Sequence, residues 1–252
     1  FNYDNSNNFH KEPHYGFKFR NLNDPSVYYD EVHRRSILGY RLIFLDYAQN
    51  VLTIQKDTVK ANKALELMNK LISVDLFPMD WEMTAQVADL YDKMNNKQMA
   101  KKFAEMSINL VETALANNQI MKEMQFYELL GRYRGPYTTM ADMAYLIKDY
   151  KLTIEKLNME YAMASQMLQD IKSDPQYAGY QQYLVENMNN IKKKVLMIQM
   201  EQAEAAGGKK GRIDFINKTI ERLQNTNNPD SIMLARQLEA FVNNITNNDS
   251  TK

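Results

Sequence analysis

Three histidines are the residues of this chain that most readily support catalysis or metal binding. His10 and His14 are four residues apart, a spacing that on a helix would direct both imidazoles toward one metal ion. Pro13 interrupts that spacing in a segment that we expect to be non-helical, so we predict no metal site there. His33 has no serine and acid in triad spacing, and we interpret it as a surface or packing residue.

Other signatures of catalysis are missing from the sequence. The chain has no cysteine, which excludes disulfides, thiolate metal ligands and thiol nucleophiles together. It also contains no phosphate-binding glycine loop, no dinucleotide fingerprint and no HExxH motif. We therefore predict that this chain is not an enzyme and binds no cofactor or metal.

Charge and hydropathy restrict the partners. Lysine plus arginine and aspartate plus glutamate number 31 each, so the formal net charge is zero and we predict no nucleic-acid binding. No stretch approaches the roughly 20 apolar residues that a membrane-spanning helix needs. Because the chain begins at Phe1, we expect it to be a fragment or a processed product. We expect any contact with a membrane to be made only by a preceding N-terminal part.

The elements that would position any site are predicted to be helices. Only eight glycines and six prolines occur in 252 residues, and apolar residues recur with a period of 3.6. We predict an all-α protein in three parts: an extended N-terminal arm (1–25), a helical repeat domain (26–206), and a flexible basic linker with a terminal helix pair (207–252). About ten helices are expected, near 27–54, 58–76, 80–95, 97–117, 119–133, 138–150, 151–171, 176–205, 213–225 and 230–246.

The segment that starts at Asp80 resembles a degenerate tetratricopeptide repeat. Repeats of this kind are about 34 residues long, consist of two antiparallel helices and keep small residues where the helices cross. The apolar and small positions of the pattern are occupied by Val87, Ala88, Tyr91, Ala100, Ala104 and Ser107. A looser match precedes it, and we predict a tetratricopeptide-like superhelix, with any other antiparallel helical array as the alternative.

Three acidic residues of the first helix of this repeat are candidate binding residues. Glu82, Asp89 and Asp92 would lie toward the concave side, where such modules usually hold a peptide. An exposed helix face normally alternates acidic and basic residues, so an ordinary solvated face is the alternative.

Residues 19–48, FRNLNDPSVYYDEVHRRSILGYRLIFLDYA, resemble the start of a soluble C-terminal region in a family of bacterial multi-spanning membrane proteins of uncharacterised function. The membrane part of that family resembles protein O-mannosyltransferases. Gly39 replaces the asparagine of the family motif, and Asp46-Tyr47 replaces its usual Arg-Leu. The positions that match are Asn21, Asp24, Pro25, Tyr28, Tyr29, Asp30, Tyr40, Arg41, Phe44 and Ala48.

The resemblance implies that this chain is the periplasmic tail of a glycosyltransferase-like membrane protein, with any transfer chemistry in another part of that protein. The tail would then be a non-catalytic interaction or positioning module for a protein or peptide partner, including a glycan acceptor. The alternative is a free-standing periplasmic or surface helical-repeat protein that binds carbohydrate or peptide.

Arg41 is the residue of the motif whose position demands an explanation. It shares a helix face with Ile37, Phe44 and Ala48, so its guanidinium should point inward, where an unpaired charge is costly. A planar guanidinium suits a bidentate carboxylate. We therefore predict a structural clasp in which Arg41 binds Asp24 or Asp30 and ties the stretch that carries Tyr28 and Tyr29 to the helices.

Overall fold

The computed structural model describes residues 21–117, 135–226 and 228–247. Every regular element in these ranges is a helix, which confirms the predicted all-α class. A π-helical turn, Val51–Gln55, extends the first helix, and a 3₁₀ turn, Pro175–Tyr177, precedes the seventh. The helices are α1 (Glu31–Asn50), α2 (Thr58–Leu71), α3 (Trp81–Lys93), α4 (Lys97–Leu115), α5 (Pro136–Leu146), α6 (Tyr150–Ile171), α7 (Ala178–Gln224) and α8 (Pro229–Asn247).

The described ranges hold eight helices, so the predicted number of about ten is not confirmed. The predicted helix at 119–133 lies outside the described residues, as do residues 1–20 of the predicted arm. The predicted helices at 176–205 and 213–225 are the two parts of α7, whose backbone leaves helical geometry at Gly208.

The chain divides into two compact units at residues 149 and 150. Unit 1 contains α1 to α5, and unit 2 contains α6 to α8. The predicted three-part division, with boundaries after residues 25 and 206, stays a prediction.

Side-chain caps set where the first four helices begin. Free amides in the first turn of a helix are satisfied by a side-chain oxygen of the residue before it. The side chain of Asp57 accepts the amide N–H of Lys60 at 2.8 Å, and that of Asp80 accepts the amide N–H of Met83 at 2.7 Å. These contacts confirm the predicted capping roles. Asp30 caps α1 in the same way, so this helix starts at Glu31 rather than at the predicted Val27. Asn96 caps α4.

Small residues fill the crossing of α3 and α4 in unit 1. Ala88 on α3 and Ala100 and Ala104 on α4 are completely buried. Ser107 is also buried, and its hydroxyl donates to the Trp81 carbonyl at 2.8 Å, which links the two helices. Tyr91 stacks on Phe103 with ring centroids 5.7 Å apart. The positions chosen from the repeat pattern therefore lie in the core.

An apolar cluster forms the core at the end of unit 2. It combines residues from both sides of Gly208 in α7 with residues of α8. Its buried members are Met200, Ile216, Ile220, Ala235 and Leu238.

Two glycines allow α7 to change direction between the two parts that supply this core. Gly208 has φ 62° and ψ −160°, a backbone region that is essentially restricted to glycine. A Cβ atom at Gly211 would overlap the carbonyl oxygen of Ala203. Arg212 then pairs with Glu204 at 2.8 Å and lies over the ring of Phe241. Each glycine is thus required by backbone geometry or by a close backbone approach.

Candidate functional site: the arginine contacts and two clefts of unit 1

Arg41 is completely buried and binds main-chain carbonyls. Its Nη2 donates to the carbonyl oxygens of Ile72, Ser73 and Phe77 at 3.2, 3.1 and 2.8 Å. Burial lowers the pKa of Arg41 to about 10, which still leaves the guanidinium charged at neutral pH. The inward direction predicted for Arg41 is confirmed, and the residue fixes the loop between α2 and α3.

The carboxylate partner predicted for Arg41 is wrong. Asp24 accepts from the amide and hydroxyl of Ser26 at 2.9 and 2.7 Å, and these bonds lower its pKa. Asp30 accepts the His33 amide, which is the main reason why its pKa is lowered, and also contacts the His33 ring. Carbonyls at and after a helix C-terminus lack helical partners, and those following α2 therefore bind Nη2 of Arg41, while its buried Nε and Nη1 donate to no group of the described residues.

Arg34 makes the contact that the sequence analysis assigned to Arg41. Its Nε donates to the Tyr29 carbonyl at 3.0 Å and its Nη1 to the Leu76 carbonyl at 2.9 Å. The ring of Tyr29 meets that of Phe77 edge-on, with centroids 5.0 Å apart. Arg34 precedes Arg41 by seven residues, two helical turns, so their shared face was a signal that could have identified it.

Tyr28 takes no part in this contact, since its side chain is 86% exposed. The stretch before α1 is held instead by Tyr29 and by a hydrogen bond from the Ser73 amide to the Leu22 carbonyl at 3.3 Å. The two tyrosines of the motif therefore differ in role, as expected where successive residues face opposite sides of an extended segment.

The three acidic candidates lie on α3, where each is partly buried. Asp92 forms an ion pair with Lys97 at 2.7 Å. Glu82 and Asp89 also have interaction partners. None of the three lines either of the two clefts described next, so the structure does not bring them into those sites. Their role in peptide binding stays a prediction.

The first cleft, which we name the Lys70–Lys102 cleft, lies between the end of α2 and α4 and has a volume of about 480 Å³. Phe103, Met99, Met106 and Val74 provide apolar lining. Its polar lining includes Lys70, Lys102, Asp75 and Asn69. The side-chain amide of Asn69 donates to the Tyr91 hydroxyl at 3.3 Å, whereas its buried Oδ1 receives no hydrogen bond.

The second cleft, which we name the Asn62–Asn96 cleft, lies between the start of α2 and the turn that joins α3 to α4. Its volume is about 590 Å³. Asn96 donates to Asn62 at 3.2 Å across it, and Lys63, Glu66 and Lys97 contribute charges of both signs. Lys97 pairs with Asp92 at 2.7 Å and Asn62 donates to Glu66, so this cleft has one lysine without an ion pair among the described residues, where the first has two.

Neither metal ligation nor a membrane span emerges from the part of the chain that the structure describes. There, no group of three or more His, Asp or Glu side chains could hold a metal ion. Within the same ranges, no helix combines the length and the apolar character needed to cross a bilayer. His33 is exposed beside Asp30, while His10 and His14 lie outside the described residues.

Comparison with known proteins adds no relative to these observations. No protein-family model matches the chain, and neither a curated protein nor a solved structure matches it.

Proposed function

We propose that this chain is a non-catalytic interaction module built from tetratricopeptide-like helix pairs. The observation that carries the proposal is the complete burial of six pattern positions in α3 and α4: Val87, Ala88, Tyr91, Ala100, Ala104 and Ser107. Small buried residues at a helix crossing allow close backbone approach, which is the basis of stacked helical repeats. Such arrays act chiefly by presenting extended surfaces to partners.

The motif in residues 21–48 supports a more specific context. Arg41, Phe44 and Ala48, which match the family pattern, are completely buried, and Asp30 caps the helix that carries them. We propose on this basis that the module is the periplasmic tail of a glycosyltransferase-like membrane protein. Its role there is to hold or position a protein partner or glycan acceptor, while transfer takes place elsewhere in that protein.

The sequence encoded upstream of Phe1 tests this context. Several apolar segments, each of about 20 residues, would support a membrane glycosyltransferase-like protein. A short lipoprotein signal directly before Phe1 would contradict it and favour the free-standing carbohydrate- or peptide-binding protein.

The non-catalytic part of the proposal has a separate test. The purified chain, incubated with nucleotide-linked and lipid-linked sugar donors and acceptor peptides, should transfer and hydrolyse no sugar, because no acid and base pair is identifiable among its described residues. Turnover that one carboxylate substitution abolishes would refute the proposal.

A further inference from the structure

We infer that the Lys70–Lys102 cleft binds an acidic peptide segment of a protein partner through two carboxylates and one apolar side chain. The inference rests on the proposed interaction function and identifies its surface and partner chemistry. The cleft lies on α2 and α4, the second helices of the two pairs, whereas the predicted acidic residues Glu82, Asp89 and Asp92 lie on α3.

Charge complementarity supports an acidic occupant. Lys70 comes from the last turn of α2, and Lys102 comes from α4. Both are exposed, and neither forms an ion pair with a carboxylate of the described residues. Asp75 contributes the only carboxylate of the lining, so two cations stand against one anion. The Lys102 ammonium also lies over the Phe103 ring, 6.0 Å from its centroid. Cations without carboxylate partners that flank a cleft steer and orient an anionic ligand.

The surface between the lysines supports an apolar contact in the same ligand. Met99, Met106 and Val74 are half-buried, and Phe103 lies beneath them with its ring fixed against Tyr91. Methionine side chains adapt to apolar groups of different shape. A small inorganic anion would leave this surface uncovered, whereas a leucine-sized side chain would bury it.

Asn69 supports a peptide rather than another acidic apolar molecule. Its buried Oδ1 lacks a hydrogen-bond donor among the described residues, which is unfavourable unless a ligand or water supplies one. Exchanging the oxygen and nitrogen of this amide would leave the amino group unpaired instead. Because this oxygen is not exposed to solvent, a ligand reaches it only after the Asn69 side chain rotates toward the cleft; a peptide backbone, which carries both N–H and C=O groups, then satisfies it in either orientation.

The test measures binding of a fluorescein-labelled decapeptide with alternating aspartate and leucine to the full chain by fluorescence anisotropy. The double variant Lys70→Glu/Lys102→Glu should weaken binding by at least about tenfold, because each attraction becomes a repulsion. Lys93→Glu/Lys193→Glu is the matched control: it reverses two exposed lysines that line neither cleft, and Lys93, like Lys70, lies in the last turn of a helix. It should change the dissociation constant by less than about twofold once added salt screens long-range charge.

Further variants distinguish the cleft from unspecific attraction. Lys70→Gln/Lys102→Gln should show an intermediate loss, and Met106→Asp should weaken binding through the apolar contact, with thermal melts verifying that each variant is folded. The inference is overturned if the wild-type chain does not bind the probe, if the control weakens binding equally, or if a lysine–leucine decapeptide binds as tightly. None of these outcomes contradicts the proposed module, whose context the upstream sequence tests independently.

Discussion

Unit 1 and unit 2 differ in the interactions that link distant parts of the chain. In unit 1, buried polar groups make these links: Arg41 binds carbonyls 31 to 36 residues away, and Ser107 binds a carbonyl 26 residues away. In unit 2, an apolar cluster on both sides of the break at Gly208 has that role, and the side chain of Gln181, which is only partly buried, donates to the Ile171 carbonyl between α7 and α6. The buried hydroxyl of Thr219 bonds only within its own helix.

This difference implies different sensitivities to substitution. Removing one partner of a buried polar contact leaves the other partner unsatisfied, and that penalty is large and local. An apolar cluster loses stability in proportion to the volume removed, while a glycine break fails through backbone strain. The single tryptophan, Trp81, lies in unit 1. Its fluorescence therefore reports unfolding of unit 1, whereas circular dichroism reports both units.

The largest effect is expected for Arg41→Ala. It removes the donor from the carbonyls of Ile72, Ser73 and Phe77, so the free energy of unfolding should fall by about 3 to 5 kcal/mol. Urea denaturation followed by Trp81 fluorescence measures it. Arg41→Lys should recover part of the loss. Arg35→Ala, which removes an exposed ion pair with Glu31, should have almost no effect. Equal stability of Arg41→Ala and wild type would contradict the structural role.

Gly211→Ala should destabilise unit 2 by about 2 to 4 kcal/mol, because its Cβ meets a main-chain oxygen that cannot move aside cheaply. Gly208→Ala is expected to act in the same direction through its positive φ. Gly207→Ala is the control, since space is open there and alanine favours helix. The dichroism transition should shift while the Trp81 transition stays in place. A matching shift in Trp81 fluorescence would show that the two units do not unfold separately.

Alkaline pH should weaken unit 1 through Tyr91. Burial, with a contribution from Glu66, raises the pKa of the Tyr91 phenol from 10.0 to about 12. The folded state thus favours the neutral phenol. Its contribution to the free energy of unfolding is complete below pH 10 and is lost as the pH rises toward 12. The loss is on the order of 2 kcal/mol.

Comparing wild type with Tyr91→Phe isolates this effect. Both proteins retain Arg41, whose lowered pKa acts in the opposite direction above pH 10. Urea denaturation at pH 8 and pH 11 measures the stability of both proteins. Between the two pH values, the stability of Tyr91→Phe should fall less than that of wild type. Equal falls would show that Tyr91 is not the titrating group.

The smallest effect is expected for a helix cap. Asp80→Ala removes the acceptor for the Met83 amide and should lower the stability of unit 1 by about 1 kcal/mol. Asp80→Asn keeps a side-chain oxygen and should restore most of it. Calorimetry measures the melting temperature of each variant. Equal melting temperatures for Asp80→Ala and Asp80→Asn would contradict the capping role of Asp80.

Local chemistry explains which features were predictable from the sequence. Asp57 and Asp80 were identified as caps because a capping residue and its amide are three positions apart. The inward direction of Arg41 followed from its helix face. Its partners did not, because they are main-chain carbonyls of a later loop, and side-chain patterns carry no information about such groups.

The candidate clefts were also beyond sequence analysis. Lys70 and Lys102 are 32 positions apart, and only the packing of α2 near α4 brings them to one surface. Glycines 207 and 208 indicated a break in the chain, yet the helical backbone on both sides of Gly208 depends on tertiary contacts. Glycine has low intrinsic helix propensity, and packing such as that of Gly211 against Ala203 overrides it.

The break at Gly208 also makes the length of this segment sensitive to insertion and deletion. One residue added between Gly208 and Gly211 would rotate the following helix by about 100° relative to the preceding one. Ile216 and Ile220 would then turn away from Met200, and a lysine would take the place of Gly211 against Ala203. Insertions and deletions should therefore not be tolerated at this turn, whereas an ordinary surface loop tolerates them.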